Sequence, residues 1–314
     1  MRIQTIGWHL AEDFTMVQDT YNVSESTQHR KGARQGQARR RIRSRNHGYW
    51  LYWIAVPVFL LMVMPYAYLL LQSFAPWSQV DETFFPSTFT LRSYEWIFTG
   101  GGFEPQPWLN ALFNSMLVSV VDSVCMVVIG AIAGYALSIL QFRGHKFIND
   151  FILFQMFYPA IILLVPTFLV IRFTGLYDTY WAMLLPYLVS LWAVFMYTSF
   201  FRSVDKEILE AARIDGAGEL TIIFRLMIPI SRTISTVIFL FVFMDRWTNL
   251  LWDLIVVKDP AKQTLSVLLS TMFGPYGTYP GPLYAAGALL TFPILILFLI
   301  FSRNLVNGIQ LVLR

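Results

Sequence analysis

A chain of 314 residues that is 56% hydrophobic and only 13% charged departs from ordinary globular proteins, in which about 25% of residues are charged. That gap excludes a soluble fold, and the single cysteine, Cys125, excludes an intrachain disulfide. The net charge of +4 is unevenly distributed, and its distribution along the chain sets the orientation.

Residues 1–48 are polar and carry Arg30, Lys31, Arg34, Arg39, Arg40, Arg41, Arg43 and Arg45. They hold no continuous apolar run ahead of a small-residue cleavage site, so no secretory signal peptide is expected in them. They read as a mostly disordered cytoplasmic tail. The basic run serves first to set topology. Contact with anionic headgroups, at about 1 kcal/mol per residue, ranks second. Nucleic-acid binding ranks last, because interleaved aromatics and a folded reader are missing.

A helical span needs about 20 apolar residues. Windows at 50–80, 111–141, 151–171, 179–201, 233–252 and 283–302 supply them. Six transmembrane helices are therefore predicted in an all-α membrane protein, with 49–308 as the membrane domain and 309–314 as a short cytoplasmic tail. Short loops rich in Lys and Arg stay cytoplasmic. With the N-terminus inside, the loop with Arg143 and Lys146 is cytoplasmic. So is the loop with Arg202, Lys206, Arg213, Arg225 and Arg232, and so is the C-terminus. The opposite loops hold only Arg92, Arg172, Lys258 and Lys262. In the first of these, "TFTLRSYEWIF" predicts a short amphipathic helix on the membrane plane. The last, 253–282, predicts irregular structure with one short helix near Leu265–Met272.

Charges inside spans are unfavourable by about 2.5–3.5 kcal/mol at the centre, which makes Asp122, Asp245 and Arg246 informative. Asp122 lies about 16 Å into its window at 1.5 Å per residue. Neutralisation of Asp122 by Ser119 or Ser123 is favoured over pairing with Arg246 or lining a cavity. Trp192, Tyr197, Trp247, Asn249 and Trp252 place aromatic rings and one amide in or near the predicted spans. Interface anchoring is the commoner role for Trp and Tyr near span ends.

Enzyme motifs are absent. No G-x-x-x-x-G-K-[ST], H-E-x-x-H or G-x-S-x-G occurs. No Cys or His cluster has metal-ligand spacing, and His9, His29, His47 and His145 all lie outside the spans. Energy, where used, enters from another subunit.

The cytoplasmic loop 203–231 is the most structured polar segment. Asp205 is placed to cap a helix with its side chain, and Glu207 sits at the positive helix end. Ile208, Leu209, Ala211 and Ala212 give that helix an apolar side with small residues, and Gly216 breaks it. Leu220, Ile223, Phe224 and Met227 form a second apolar set before Pro229. Residue chemistry alone leaves a helix in the headgroups and a docking helix equally favoured.

The literal string "EAARIDGAGELTIIFRLMIP" resembles the EAA signature of ABC importer permeases, E-A-A-x-x-x-G, nine residues, then I-x-L-P. Glu210, Ala211, Ala212, Gly216 and Pro229 match it, and Leu226 and Ile228 fill the aliphatic sites. Asp215 and Ala217 complete the D-G-A of the carbohydrate subgroup. "FTLRSYEWIF", "LNALFNSMLVS" with its Asn114–Ser115 pair, "FRGHKF", "GLYDTYWAMLLPYL" and "DRWTNLLWDLIVVKDPAKQTLSVLL" also resemble maltose-type permeases, in family order. Departures are Trp247-Thr248-Asn249-Leu250, where the family has Trp-Asn-acidic-aromatic, and the tail "LVNGIQLVLR".

The resemblance implies a type I ABC importer permease, of the smaller second-subunit kind, in a bacterial cytoplasmic membrane. It implies a heterodimer with another permease, two ATPase subunits and an extracytoplasmic sugar-binding protein, with no nucleic acid. ATP and Mg would belong to the ATPase, and this chain would bind no cofactor and catalyse no reaction. Glu210, Ala211, Ala212, Asp215, Gly216, Ala217 and Pro229 become the expected ATPase-docking residues. Asn114, Asp122 and Arg246 join Trp192, Tyr197, Trp247, Asn249 and Trp252 as the expected substrate pathway. The competing readings are an importer of the same class for a non-sugar solute such as glycerol-phosphate, and a self-contained secondary transporter. The latter leaves the spaced Glu-Ala-Ala-Gly-Pro element unexplained.

Overall fold

The computed structural model describes residues 49–99, 107–140, 142–272 and 280–312. The basic tail expected over 1–48 lies outside the described residues. So do the glycine run 100–102 and most of the turn-rich stretch 273–282. Among the described residues every regular element is helical.

The chain forms two units, residues 1–67 and 68–314. The described part of the first is the body of α1 (Tyr49–Ser73). Large apolar side chains point outward all round it, Trp53 being 81% and Leu61 70% exposed. A helix that is apolar on every side is one whose surroundings are lipid or protein interior.

The second unit opens with the last turns of α1. It continues with α2 (Arg92–Thr99), α3 (Trp108–Ser138), α4 (His145–Met156), α5 (Leu164–Phe173), α6 (Tyr180–Leu184) and α7 (Leu191–Arg202). Then come α8 (Lys206–Ile214), an irregular helical run Glu219–Ile230, α9 (Arg232–Trp247), α10 (Leu251–Val256), α11 (Leu265–Met272) and α12 (Pro280–Val312). The short helix expected at Leu265–Met272 is α11.

Four segments are long and apolar enough to cross a bilayer: Tyr52–Ser73, Trp108–Ser138, Tyr180–Arg202 and Gly281–Ser302. The other two expected windows are broken. His145–Met156 and Ala160–Phe173 meet at 98°, and Glu219–Ile230 meets α9 at 82°, so the count of spans runs from four to six. The causes are local. Pro159 takes an extended backbone (ψ 117°) where the helix would have continued. Ser231 leaves the helical region (ψ 10°) just before α9. The 16 residues of α9 rise about 24 Å at 1.5 Å each, short of the roughly 30 Å core.

Helix α3 is the hub, packing most extensively on α7 and α9. Gly130 and Gly134 permit the approach: a Cβ at Gly134 would lie 2.5 Å from the Cβ of Tyr197. Small residues at such crossings let backbones come together where lipid supplies no hydrophobic drive. Helix α2 does not simply lie on the membrane plane. Ser93 and Ile97 are fully buried, and the helix packs on α12. Its amphipathic pattern announced an apolar face but not that protein would cover it.

At the middle of α3, Asp122 accepts from Arg246 Nε of α9 at 2.7 Å. The same guanidinium donates both Nη atoms to Asp253 of α10, at 3.0 and 2.9 Å, and Nη2 also to the Met183 carbonyl at 3.2 Å. Its face stacks on the Tyr187 ring at 4.6 Å, and Thr264 Oγ1 donates to Asp253 at 3.4 Å. Asp122 is thus held by Arg246 rather than by Ser119 or Ser123, overturning the favoured expectation. Among the described residues, Asp122 Oδ1 and Ser123 Oγ have no hydrogen-bond partner. The three charged side chains are 0–1% exposed. Removing the cation would strand two buried carboxylates, and breaking such a pair is unfavourable by about 3–5 kcal/mol. Arg246→Met is therefore expected to lower the thermal midpoint of the detergent-solubilised chain sharply. Asp122→Asn should lower it much less, because one oxygen of Asp122 is already unpartnered and Asp253 keeps its two-point grip. Melting curves followed by tryptophan fluorescence check the order, and the reverse order would overturn this account.

Candidate functional site

Two places carry the candidate residues. The first is a cavity of about 630 Å³ between the 3₁₀ turn that leads into α5, the link between α6 and α7, and the α9–α10 junction. The junction is shaped by local chemistry. Thr248 N–H and Oγ1 both donate back to the Met244 carbonyl, at 3.2 and 2.9 Å, and Asn249 N–H donates to the Arg246 carbonyl at 3.3 Å. The chain thereby turns out of α9 and presents Asp245, Thr248, Asn249 and Trp252 to the cavity, opposite Thr167 and Tyr187. Asn249 Nδ2 donates to the Tyr187 hydroxyl at 2.8 Å, and Trp252 Nε1 to the Ala182 carbonyl at 2.9 Å.

Of the eight expected pathway residues, Asn249 and Trp252 line this cavity. Trp192 is half-buried, its ring 5.6 Å from that of Phe241. The remaining five are buried and bonded within the chain. Asn114 donates to the Ala261 and Gln263 carbonyls at 2.9 and 3.0 Å and accepts from the Tyr180 hydroxyl at 2.9 Å. It pins the 258–264 loop to α3. Asp259 closes a 3₁₀ turn in that loop, its carboxyl held below the usual carboxylate range by the Ala261 amide and then by Lys262. Tyr197 donates to Ser235 Oγ at 2.6 Å, beside a separate recess of about 470 Å³. Trp247 donates to the Leu290 carbonyl at 2.9 Å. Asp122 and Arg246 are committed to the ion triad. Tyr187, Thr248 and Asp245 also line the cavity, and the sequence reading did not place them on the expected pathway. Successive helix residues point about 100° apart, so a buried Arg246 sends its neighbour Asp245 elsewhere.

The second place is the polar loop. Helix α8 is short, and Asp205 precedes it in an extended conformation without a side-chain capping bond, contrary to expectation. The C-terminal end is closed fully. Gly216 N–H donates to the Arg213 carbonyl and Ala217 N–H to the Ala212 carbonyl, both at 3.0 Å, with Gly216 at φ +79°. This is the Schellman pairing, which needs a left-handed residue at that position. Ala212 and Ala217, the residues it joins, pack inward on the cluster of Tyr135, Phe201, Leu209, Ile222 and Met227. Arg213 bonds Glu219 at 3.1 Å, and Glu219 also accepts from the Tyr135 hydroxyl of α3.

Glu210, Ala211, Asp215 and Gly216 are exposed, whereas Ala212, Ala217 and Pro229 are half-buried. The two alanines of the signature therefore face different ways. Ile214, 85% exposed, and Leu220, 68% exposed, are apolar side chains that the described residues leave uncovered. Glu210 also borders a groove of about 660 Å³ whose walls include His145, Lys146, Arg202, Lys206 and Arg213.

Residues 126–310 match the family described as "Binding-protein-dependent transport system inner membrane component". The arabinooligosaccharides transport system permease protein AraQ of Halalkalibacterium halodurans is 32% identical over 254 residues, covering 79% of this chain and 90% of that protein. The trehalose transport system permease protein SugB of Mycobacterium tuberculosis is 29% identical over 265 residues, covering 82% of this chain and 95% of that protein. A chain from the crystal structure of a bacterial ABC transporter involved in the import of the acidic polysaccharide alginate shares the fold. Its TM-score is 0.72 at 20% identity, over 83% of this chain and 97% of that one. With the family match running from the C-terminal part of α3 through α11 and over most of α12, and with a relative above 30% identity along most of its length, the chain belongs to the binding-protein-dependent transport system inner membrane components.

Proposed function

We propose that the chain is the permease subunit of an ATP-driven, binding-protein-dependent importer of sugars or oligosaccharides. It crosses the bilayer six times, two of the crossings being the bent pairs, with both termini and the 203–231 loop cytoplasmic. A second permease completes the pathway, two ATPase subunits hold the ATP and Mg, and an extracytoplasmic binding protein delivers the sugar. The relatives named for arabinooligosaccharide and trehalose transport support the carbohydrate class.

One observation carries the reading. Helix α8 is a closed lever with distinct inner and outer faces. Leu209, Ala212 and Ala217 fix the inner face to the helix bundle, and the Glu219–Tyr135 bond ties the element to α3. Glu210, Ala211, Ile214 and Asp215 are left on the outer face. A partner gripping that face moves the bundle, because the Schellman closure and the buried face leave little play. A helix that merely rests in headgroups has no need of either.

Reconstitution with partner permease, ATPase and sugar-loaded binding protein tests the assignment through stimulated ATP hydrolysis and uptake. Transport by this chain alone in liposomes without ATP would sink it. Gly216→Ala meets no neighbouring atom within 4 Å, so its effect runs through the backbone, at about 1–2 kcal/mol for a side chain in the left-handed region. Gly216→Ala and Glu210→Ala are each expected to leave membrane insertion intact. Each should reduce ATPase co-purification and sugar-stimulated hydrolysis roughly fivefold or more, as loss of 1 kcal/mol or more at a docking face implies. Normal uptake with both changes removes the lever assignment.

A further inference from the structure

We infer that this chain's half of the sugar passage selects uncharged saccharides against acidic ones, and that Asp245 sets the selectivity. The inference rests on the importer reading above and narrows its substrate class. Among the described residues lining the cavity, Asp245 is the only charged one, and no lysine or arginine reaches the walls. Asp245 is exposed and has no ion-pair partner among the described residues.

The nearest cation in sequence, Arg246, is unavailable. Its guanidinium is 0% exposed and donates to Asp122, Asp253 and the Met183 carbonyl. With two carboxylates on one guanidinium, that triad has no surplus positive charge to lend. Arg172 is stacked on the Tyr177 ring at 4.4 Å, and Lys262 is tied to Asp259 at 3.1 Å, both away from the cavity lining. The chain does place cations without an ion pair among the described residues around a recess elsewhere: Lys146 and Lys206 line the groove beside Glu210. The cavity is built to the opposite sign.

What lines it suits a neutral, hydroxyl-rich solute. Tyr187 and Trp252 offer ring surface, and Thr248 and Asn249 offer a hydroxyl and an amide. An ionised carboxylate accepts at both oxygens and donates at neither, so Asp245 can take two sugar hydroxyls at once. A uronate or phosphate group on the solute would face Asp245 with no counter-charge from the described lining residues, and like charges brought together are disfavoured.

The test uses the full transporter, this chain with its partner permease and ATPase, in lipid nanodiscs. Calorimetric titration compares a neutral arabinopentaose with pentagalacturonate at low and high salt. The wild type is expected to bind the neutral oligomer roughly tenfold or more tightly, a preference that shrinks as salt screens the carboxylate. Asp245→Glu should keep the preference, Asp245→Asn should reduce it severalfold, and Asp245→Arg should invert it. Equal or tighter binding of pentagalacturonate by the wild type, no binding of either oligomer, or a ratio unmoved by Asn and Arg at 245 overturns the inference. A parallel assay of ATP-dependent uptake with binding protein separates the two readings. Failed uptake of every saccharide counts against the importer assignment. Sugar uptake with an unmoved charge ratio counts only against Asp245.

Discussion

The guanidinium of Arg246 is where four helices converge. Helix α9 supplies it, α3 supplies one carboxylate, α10 supplies the other, and the end of α6 supplies a carbonyl. Thr264, ahead of α11, adds a contact through Asp253. A buried ion cluster is not more stabilising than a well-packed apolar core of the same shape. Its effect is on register: five donors in a planar fork fit only one arrangement of acceptors. Lysine, a point charge on a flexible stem, would not impose that arrangement. The bonds from Asn249 to Tyr187 and from Trp252 to Ala182 then join the same elements, so the cavity wall inherits its shape from the cluster beside it.

Helix α3 carries this constraint to the other end of the molecule. Asp122 and Tyr135 are 13 residues apart, about 20 Å at 1.5 Å per residue, and each holds a separate functional element. Asp122 fixes the cavity side through Arg246, and Tyr135 fixes the α8 loop through Glu219. Between them, Gly130 and Gly134 bring α7 close enough that α3 and α7 have little room to move independently. In the proposed importer, a displacement imposed at α8 is passed on by this pair of helices. Rigid secondary elements joined by packed side chains are the physical carriers that such coupling needs.

The apolar windows and the helix–glycine–helix loop were legible because each depends on local sequence: composition for the windows, a left-handed glycine for the loop. What escaped depends on partners. Asp253 was invisible as a charge partner because it falls just past the apolar window holding Arg246, in what reads as a loop. The bend at Pro159 was hidden by composition, since hydropathy is blind to backbone direction. Ala211 and Ala212 read as one small-residue face, yet a helix separates neighbours by about 100°, and the bundle covers only the second. Likewise Leu220 read as a member of an apolar set, yet it is left uncovered among the described residues, as is Ile214.

Asp245 and Arg246 show the same rule at its sharpest. They are adjacent, opposite in charge and set within one apolar window of the sequence. The helix turns one towards α3 and α10, where its charge is balanced, and the other into the open cavity, where it is not. Neutrality between sequence neighbours therefore says nothing about the field either one creates. Only the uncompensated member projects a charge onto a passing solute. The basic loops behave alike: Arg213 is matched by Glu219, while Lys146 and Lys206 border their groove with no carboxylate bonded to either among the described residues. The charges that confront a solute or a partner protein are the ones the fold has left unmatched, and that sorting is a property of the packed helices.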